Sequence, residues 1–120
     1  MTTPRNRLLA AVATCAALAV PALAAAPASA ATCGGLPSYP SSKGGYFTKL
    51  TVSGISCSGG KAVMKGHYRC RTKHGIKGKC PSFNGWKCTE TRQSSSIEYN
   101  ARVTCKKSGR KVVYYYQQNL

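Results

Sequence analysis

Residues 99–106 alternate without a break: Tyr99, Ala101, Val103 and Cys105 fall on one face, and Asn100, Arg102, Thr104 and Lys106 on the other. A period of two marks a strand with one buried face. Residues 107–110 (KSGR) turn the chain, and residues 111–117 (KVVYYYQ) read as the returning strand. A tight turn centred on Ser108 and Gly109 sets the register. Cys105 then faces Val112, Val103 faces Tyr114, and Ala101 faces Tyr116 on the core side. Arg102 faces Tyr115 and Thr104 faces Val113 on the outer side. A slip of one residue would turn all of these side chains over, so the pairing is strongly specified.

Residues 86–92 (WKCTETR) predict the preceding strand, with a polar turn region at 93–96. The same logic brings Cys88 beside Cys105 but turns Glu90 inward, which argues for a bulge or a longer loop there. Residues 46–55 (YFTKLTVSGI) predict the first strand, with Leu50 and Val52 on one face and Lys49, Thr51 and Ser53 on the other. The segment SCSGG breaks it, and Ser56 or Ser58 is placed to cap a helix. Over residues 61–71, Val63, His67 and Cys70 share a stripe, flanked by Met64 and Tyr68. Gly66 weakens that helix by up to about 1 kcal/mol. Residues 72–85 read as a loop punctuated by Gly75, Gly78, Pro81 and Gly85.

The order strand, helix and three-stranded meander predicts an α+β fold, β-α-β-β-β. One short helix packs on a small, mostly antiparallel sheet in a single domain over residues 46–120. Residues 31–45, rich in Gly, Pro and Ser, read as an irregular arm tied down by Cys33.

Residues 1–30 read as a signal peptide. Arg5 and Arg7 form its positive end, an apolar run follows, and Ala28-Ser29-Ala30 is a small-x-small cleavage site. The run is short for a membrane span, which needs about 20 residues. No other stretch is apolar enough to cross, so a secreted, monomeric product without an integral span is expected. Cleavage removes Cys15 and leaves Cys33, Cys57, Cys70, Cys80, Cys88 and Cys105. An even count in a short secreted chain reads as a disulfide framework, with fifteen pairings open for six cysteines. Cysteines at both helix ends and on the inner sheet face suit helix-to-sheet bonds.

Charge changes the picture more than composition does. Beyond the leader, 16 Lys and Arg stand against Glu90 and Glu98, with no Asp, for a net charge of +14. Such a chain repels itself and is drawn to polyanions. The densest cluster is RCRTKHGIKGKC, where Arg69, Arg71, Lys73, Lys77 and Lys79 surround two cysteines and His74. Zinc knuckles use close Cys-x2–4-Cys pairs. Here the spacings are longer and the compartment is oxidising, so neither a metal site nor a cofactor is expected. An anion-binding loop remains, with glycines keeping backbone N–H groups accessible. So does a solvated loop with ordinary cations at a helix C-terminus. The outer sheet face, carrying Arg102, Tyr115, Val113, Lys111 and Lys106, is a second candidate unless the arm with Tyr39 and Tyr46 covers it.

Catalysis has thin support. Glu90 and Glu98 are the only carboxylate side chains beyond the leader, and no nucleophile or metalloprotease motif occurs. The chain is therefore not expected to be an enzyme. A small secreted hydrolase or ribonuclease using Glu with His67 or His74 is the minor alternative.

The stretch LTVSGISCSGGKAVMKGHYRC, followed by GWKC, ARVTC and KVVYYYQ, resembles a group of small secreted actinobacterial proteins. The likeness covers residues 48–117; Cys33, Cys80 and the lysine-rich loop stand outside the shared pattern. It implies a secreted, disulfide-stabilised α+β domain and carries no activity with it. The expected function is binding of an anionic partner: a wall polymer, an acidic glycan, nucleic acid or anionic lipid. The alternatives are a cationic antimicrobial or toxin-like protein acting on anionic membranes, and a protein-directed inhibitor.

Each disulfide contributes about 2–4 kcal/mol, and a typical domain has about 5–15 kcal/mol in all. Reduction by dithiothreitol is therefore expected to unfold the protein, with collapse of near-ultraviolet circular dichroism. Retention of that signal after complete reduction would refute it.

Overall fold

The computed structural model describes residues 29–38 and 45–120. In chain order these form β1 (Ala31–Cys33), β2 (Gly45–Ser53), α1 (Cys57–Thr72), β3 (Ser82–Phe83), β4 (Trp86–Ser94), β5 (Glu98–Lys107) and β6 (Arg110–Asn119). The strands make one antiparallel sheet in the order β1-β2-β6-β5-β4-β3, with α1 on one face. The fold is α+β and carries three disulfides.

The final hairpin turns where its sequence signals. Ser108 and Gly109 both have positive φ, 46° and 75°, the backbone of a two-residue turn that matches strand twist. Cys105 faces Val112, Val103 faces Tyr114 and Ala101 faces Tyr116, while Arg102 faces Tyr115 and Thr104 faces Val113. Cys88 faces Cys105, and β4 pairs with β5 in unbroken register from Lys87 to Ser94. The bulge expected near Glu90 is absent. Glu90 does point inward, but Arg92 Nε donates to its Oε1 at 2.7 Å and the Tyr116 hydroxyl donates to the same oxygen. With those partners the strand has no reason to bend. Gln93 and Ser94 consequently belong to β4, and Ser95 closes the turn, its N–H donating to Glu98 O at 2.8 Å. A register shift occurs instead in β2, between Phe47 and Lys49.

Other expected boundaries move: the first strand ends at Ser53, short of Ile55, and the last runs to Asn119. The helix begins at Cys57, four residues before the pattern at Lys61. Ser56 caps it, its Oγ accepting from Gly59 N at 3.1 Å. Residues 31–33 are a strand: β1 pairs Ala31, Thr32 and Cys33 with Val52, Thr51 and Leu50. Within the expected loop, Asn84 and Gly85 (φ 47° and 80°) turn β3 back onto β4. Tyr39 lies outside the described residues.

Close approach explains two helical glycines. A Cβ on Gly60 would lie 2.2 Å from Val52 Cγ1, and one on Gly66 would lie 2.6 Å from Phe83 Cε2. The residues that weaken the helix locally are what let it rest on β2 and β3. Beneath it Leu50, Val52, Val103, Val112, Tyr114 and Tyr116 meet Val63, Met64 and Tyr68, all buried. Among the disulfides of the described residues, only Cys33–Cys57 joins helix to sheet. Cys70–Cys80 fastens the helix end to the following loop, and Cys88–Cys105 bridges β4 and β5. No helix among the described residues is long and apolar enough to cross a membrane.

Gly60→Ala should overpack this interface and lower stability by about 1–3 kcal/mol, read as a lower denaturant midpoint. Nothing lies within 4 Å of a Cβ placed on Gly34, so Gly34→Ala should stay within about 0.5 kcal/mol. Equal midpoints for the two variants would contradict the packing account.

Candidate functional site

The described residues offer three polar clusters: one beneath the helix, one in the loop after it, and one on the far face of the sheet. The inner cluster begins with His67. Its Nε2 lies 3.1 Å from the carbonyl of Cys80. A carbonyl can only accept, so Nε2 carries the proton, and Nδ1 accepts from the Tyr114 hydroxyl. The ring is neutral, and burial lowers its pKa despite the opposing charge of Glu90. Burial likewise raises the phenols of Tyr114 and Tyr116, the latter helped by its hydrogen bond to Glu90. Both remain protonated donors.

One helical turn on, Arg71 is fully enclosed at 0% exposure. Its Nη2 donates to Ile76 O at 2.5 Å and also reaches the Tyr99 hydroxyl. Its guanidinium carbon lies 4.6 Å from the Tyr116 ring centroid, 4.7 Å from that of Tyr68 and 5.8 Å from that of Tyr99. Nε and Nη1 have no hydrogen-bond partner. Ring faces therefore supply much of what water would otherwise give the cation. Arg71 is not part of an exposed anion site; that expectation is corrected by its burial. Arg92 completes the cluster, donating to Lys77 O at 2.8 Å and Gly78 O at 2.6 Å. Every charged member is engaged with a neighbour, and the cluster clamps helix, loop and sheet together. Glu90 belongs to this inner side, whereas Glu98 shares the outer face with Asn100 and Arg102, so the sheet separates the two carboxylates.

The loop behaves differently from the anion nest its glycines suggest. Its carbonyls at Ile76, Lys77 and Gly78 turn inward to Arg71 and Arg92. Its glycine N–H groups are also engaged: Gly75 N donates to Thr72 O at 3.0 Å and Gly78 N to Gly75 O at 2.9 Å. Neither glycine N–H is free to hold an anion. What the loop exposes is side chains: Arg69, Lys73, Lys77 and Lys79 are all exposed. The disulfides engage Cys70, Cys80 and Cys88, which a zinc site shared with His74 would need as thiolates.

Arg102 and Tyr115 lie on the opposite side of the sheet from the helix, so they and the loop do not form one site. Their face is built in cross-strand rows. Lys87, Lys106, Lys111 and Ser53 form the first; Thr89, Thr104, Val113 and Thr51 the second. Thr91, Arg102, Tyr115 and Lys49 form the third; Gln93, Asn100, Gln117 and Tyr46 the fourth. No layer of described residues covers these rows: Lys87, Lys106, Lys111, Arg102 and Lys49 are exposed and Tyr115 is half-buried. Tyr46 lies flat enough to donate to Gln117 Oε1 at 2.5 Å and is itself half exposed. The first row lines an open groove of about 690 Å³, with Lys107 and Arg110 at its end. Lys107 is tied to Asn84 O at 2.9 Å. Lys106 and Lys111 are on the outer face that the sequence singled out; the structure adds Lys87 beside them. The Lys106–Lys111 pair was available from the hairpin register; Lys87 needed the adjacent strand.

The lowered pKa of His67 has a definite sign. The unfolded chain binds its proton at about pH 6.5, and the folded chain only at lower pH. Its contribution is complete above about pH 6.5 and is lost as pH falls below that. The urea midpoint should therefore drop between about pH 7 and pH 5, and the drop should shrink in His67→Gln. An unchanged pH slope in that variant would remove His67 as the cause.

Comparison with protein-family models, with curated proteins and with solved structures finds no match to this chain.

Proposed function

We propose that this chain is a secreted module that captures an anionic polymer on the uncovered outer face of its sheet. The observation that carries the reading is the lysine row. Lys87, Lys106 and Lys111 are direct neighbours on three adjacent strands, and they line a groove without a carboxylate. Neighbouring strands lie about 4.8 Å apart. Like charges so placed oppose folding, by up to about 1 kcal/mol per pair in water. An anion seated among them removes that repulsion and releases counterions.

Secretion is part of the proposal. Three disulfides are compatible with an oxidising compartment. A cut after Ala30 would also leave Ala31 as the first residue of β1. The exposed Arg69, Lys73, Lys77 and Lys79 would add to the overall attraction from the helix side without belonging to the groove.

Heparin is a suitable generic probe. Binding should weaken with salt, with a log–log slope of about −2 to −3 if three cations are engaged. Lys106→Gln with Lys111→Gln should weaken binding roughly tenfold and flatten the slope by about 1.5–2. Lys61→Gln with Lys65→Gln removes the same charge from the helix and should cost less than about twofold. Equal losses in the two double variants would mean diffuse attraction and no site on the sheet face.

A further inference from the structure

The outer face carries chemistry that charge capture does not use. In the third row Tyr115 stands between Arg102 and Lys49 as direct cross-strand neighbours. Lys49 Nζ lies 6.0 Å from the Tyr115 ring centroid. Beside the ring is a second depression, of about 330 Å³, lined by Thr48, Thr91, Gln93, Asn100 and Arg102. Gln93 and Asn100 are exposed and lie opposite one another in the fourth row, next to the tyrosine. An amide presents both a donor and an acceptor.

The lysine row and the tyrosine row are four residues apart along each strand, roughly 13 Å at the rise of a β-strand. Glu98 lies at the far end of the face, where Gln117 Nε2 donates to its carboxylate. The face is therefore graded: lysines at one end, an aromatic ring with two cations in the middle, then amides, then a negative charge. A polymer with evenly spread charge and no flat groups would use the lysines and leave the ring idle. A duplex would do the same, because its bases are stacked on each other. A chain that alternates anionic groups with unstacked planar rings engages both rows.

We propose that the outer face binds single-stranded nucleic acid, with phosphates at Lys87, Lys106 and Lys111 and a base stacked on Tyr115. Arg102 and Lys49 flank that base and hold its neighbouring phosphates, and Gln93 and Asn100 meet its edge. The site takes about four nucleotides, the small end of the range for single-strand modules. This assignment rests on the reading of the outer face as the anion site.

The test compares three probes on the oxidised protein by fluorescence anisotropy: oligothymidine of about ten nucleotides, a duplex of matched charge, and heparin. Tyr115→Ala should weaken oligothymidine binding roughly 5- to 150-fold and change duplex and heparin binding less than twofold. Tyr115→Phe should keep the affinity, since the ring face remains. In the unmodified protein, oligothymidine should shift the Tyr115 ring resonances upfield and heparin should not, which holds the proposal to account even if Tyr115→Ala is poorly folded. If Tyr115→Ala leaves oligothymidine binding unchanged and oligothymidine leaves the Tyr115 ring resonances unshifted, while Lys106→Gln with Lys111→Gln weakens all probes, the stacking proposal fails and the anion face stands. If Tyr115→Ala weakens heparin as much as oligothymidine, the occupant is an acidic glycan and the nucleic-acid assignment is overturned. If the double lysine variant leaves every probe unchanged, the anion face itself is wrong, and this proposal falls with it.

Discussion

A guanidinium enclosed at 0% exposure, with three tyrosine rings around it, is the contact on which most of this molecule converges. Arg71 belongs to the helix, Ile76 to the loop, and Tyr99 and Tyr116 to two adjacent strands. An unpaired charge in such a place would be very costly. The hydrogen bonds from Nη2 and the aromatic faces offset that cost, and they hold only if helix, loop and sheet keep their relative positions. Arg92 repeats the arrangement a short distance away, binding Glu90 on one side and two loop carbonyls on the other.

This constraint shapes the surface. Because the loop's carbonyls are drawn inward and its glycine N–H groups bond within the loop, its lysine side chains are what it shows to solvent. The Cys70–Cys80 bond closes the same loop covalently. The inner face of the sheet is filled by the helix, while the described arm adds only a short edge strand. Nothing among the described residues is left to cover the outer face. Its cations stay in water, where they repel one another and attract an anion.

Disulfides and charge are linked in the same way. A small chain with this much net charge works against its own compact state. Three cross-links limit the unfolded ensemble, and the apolar strip beneath the helix does the rest. The surface can then be committed to cations without losing the fold.

Periodicity alone determined the last hairpin. The alternation in residues 99–106 and the Ser108-Gly109 turn leave one register that buries Val103, Val112 and Tyr114 together. The helix stripe at Val63, His67 and Cys70 was equally local, and so was the cap at Ser56. The Asn84-Gly85 turn was read only as part of a loop, because the strand it ends has two residues, too few to show an alternation. Tertiary structure decided what depends on partners distant in the chain. Glu90 inside the sheet looks uncomfortable until Tyr116, 26 residues away, donates to it. Arg71 reads as one more cation in a basic loop until tyrosines from three elements surround it. The disulfide pairing, the edge strand at Ala31–Cys33 and the lysine row across three strands follow from which segments meet, and the local pattern of any one segment does not contain that information.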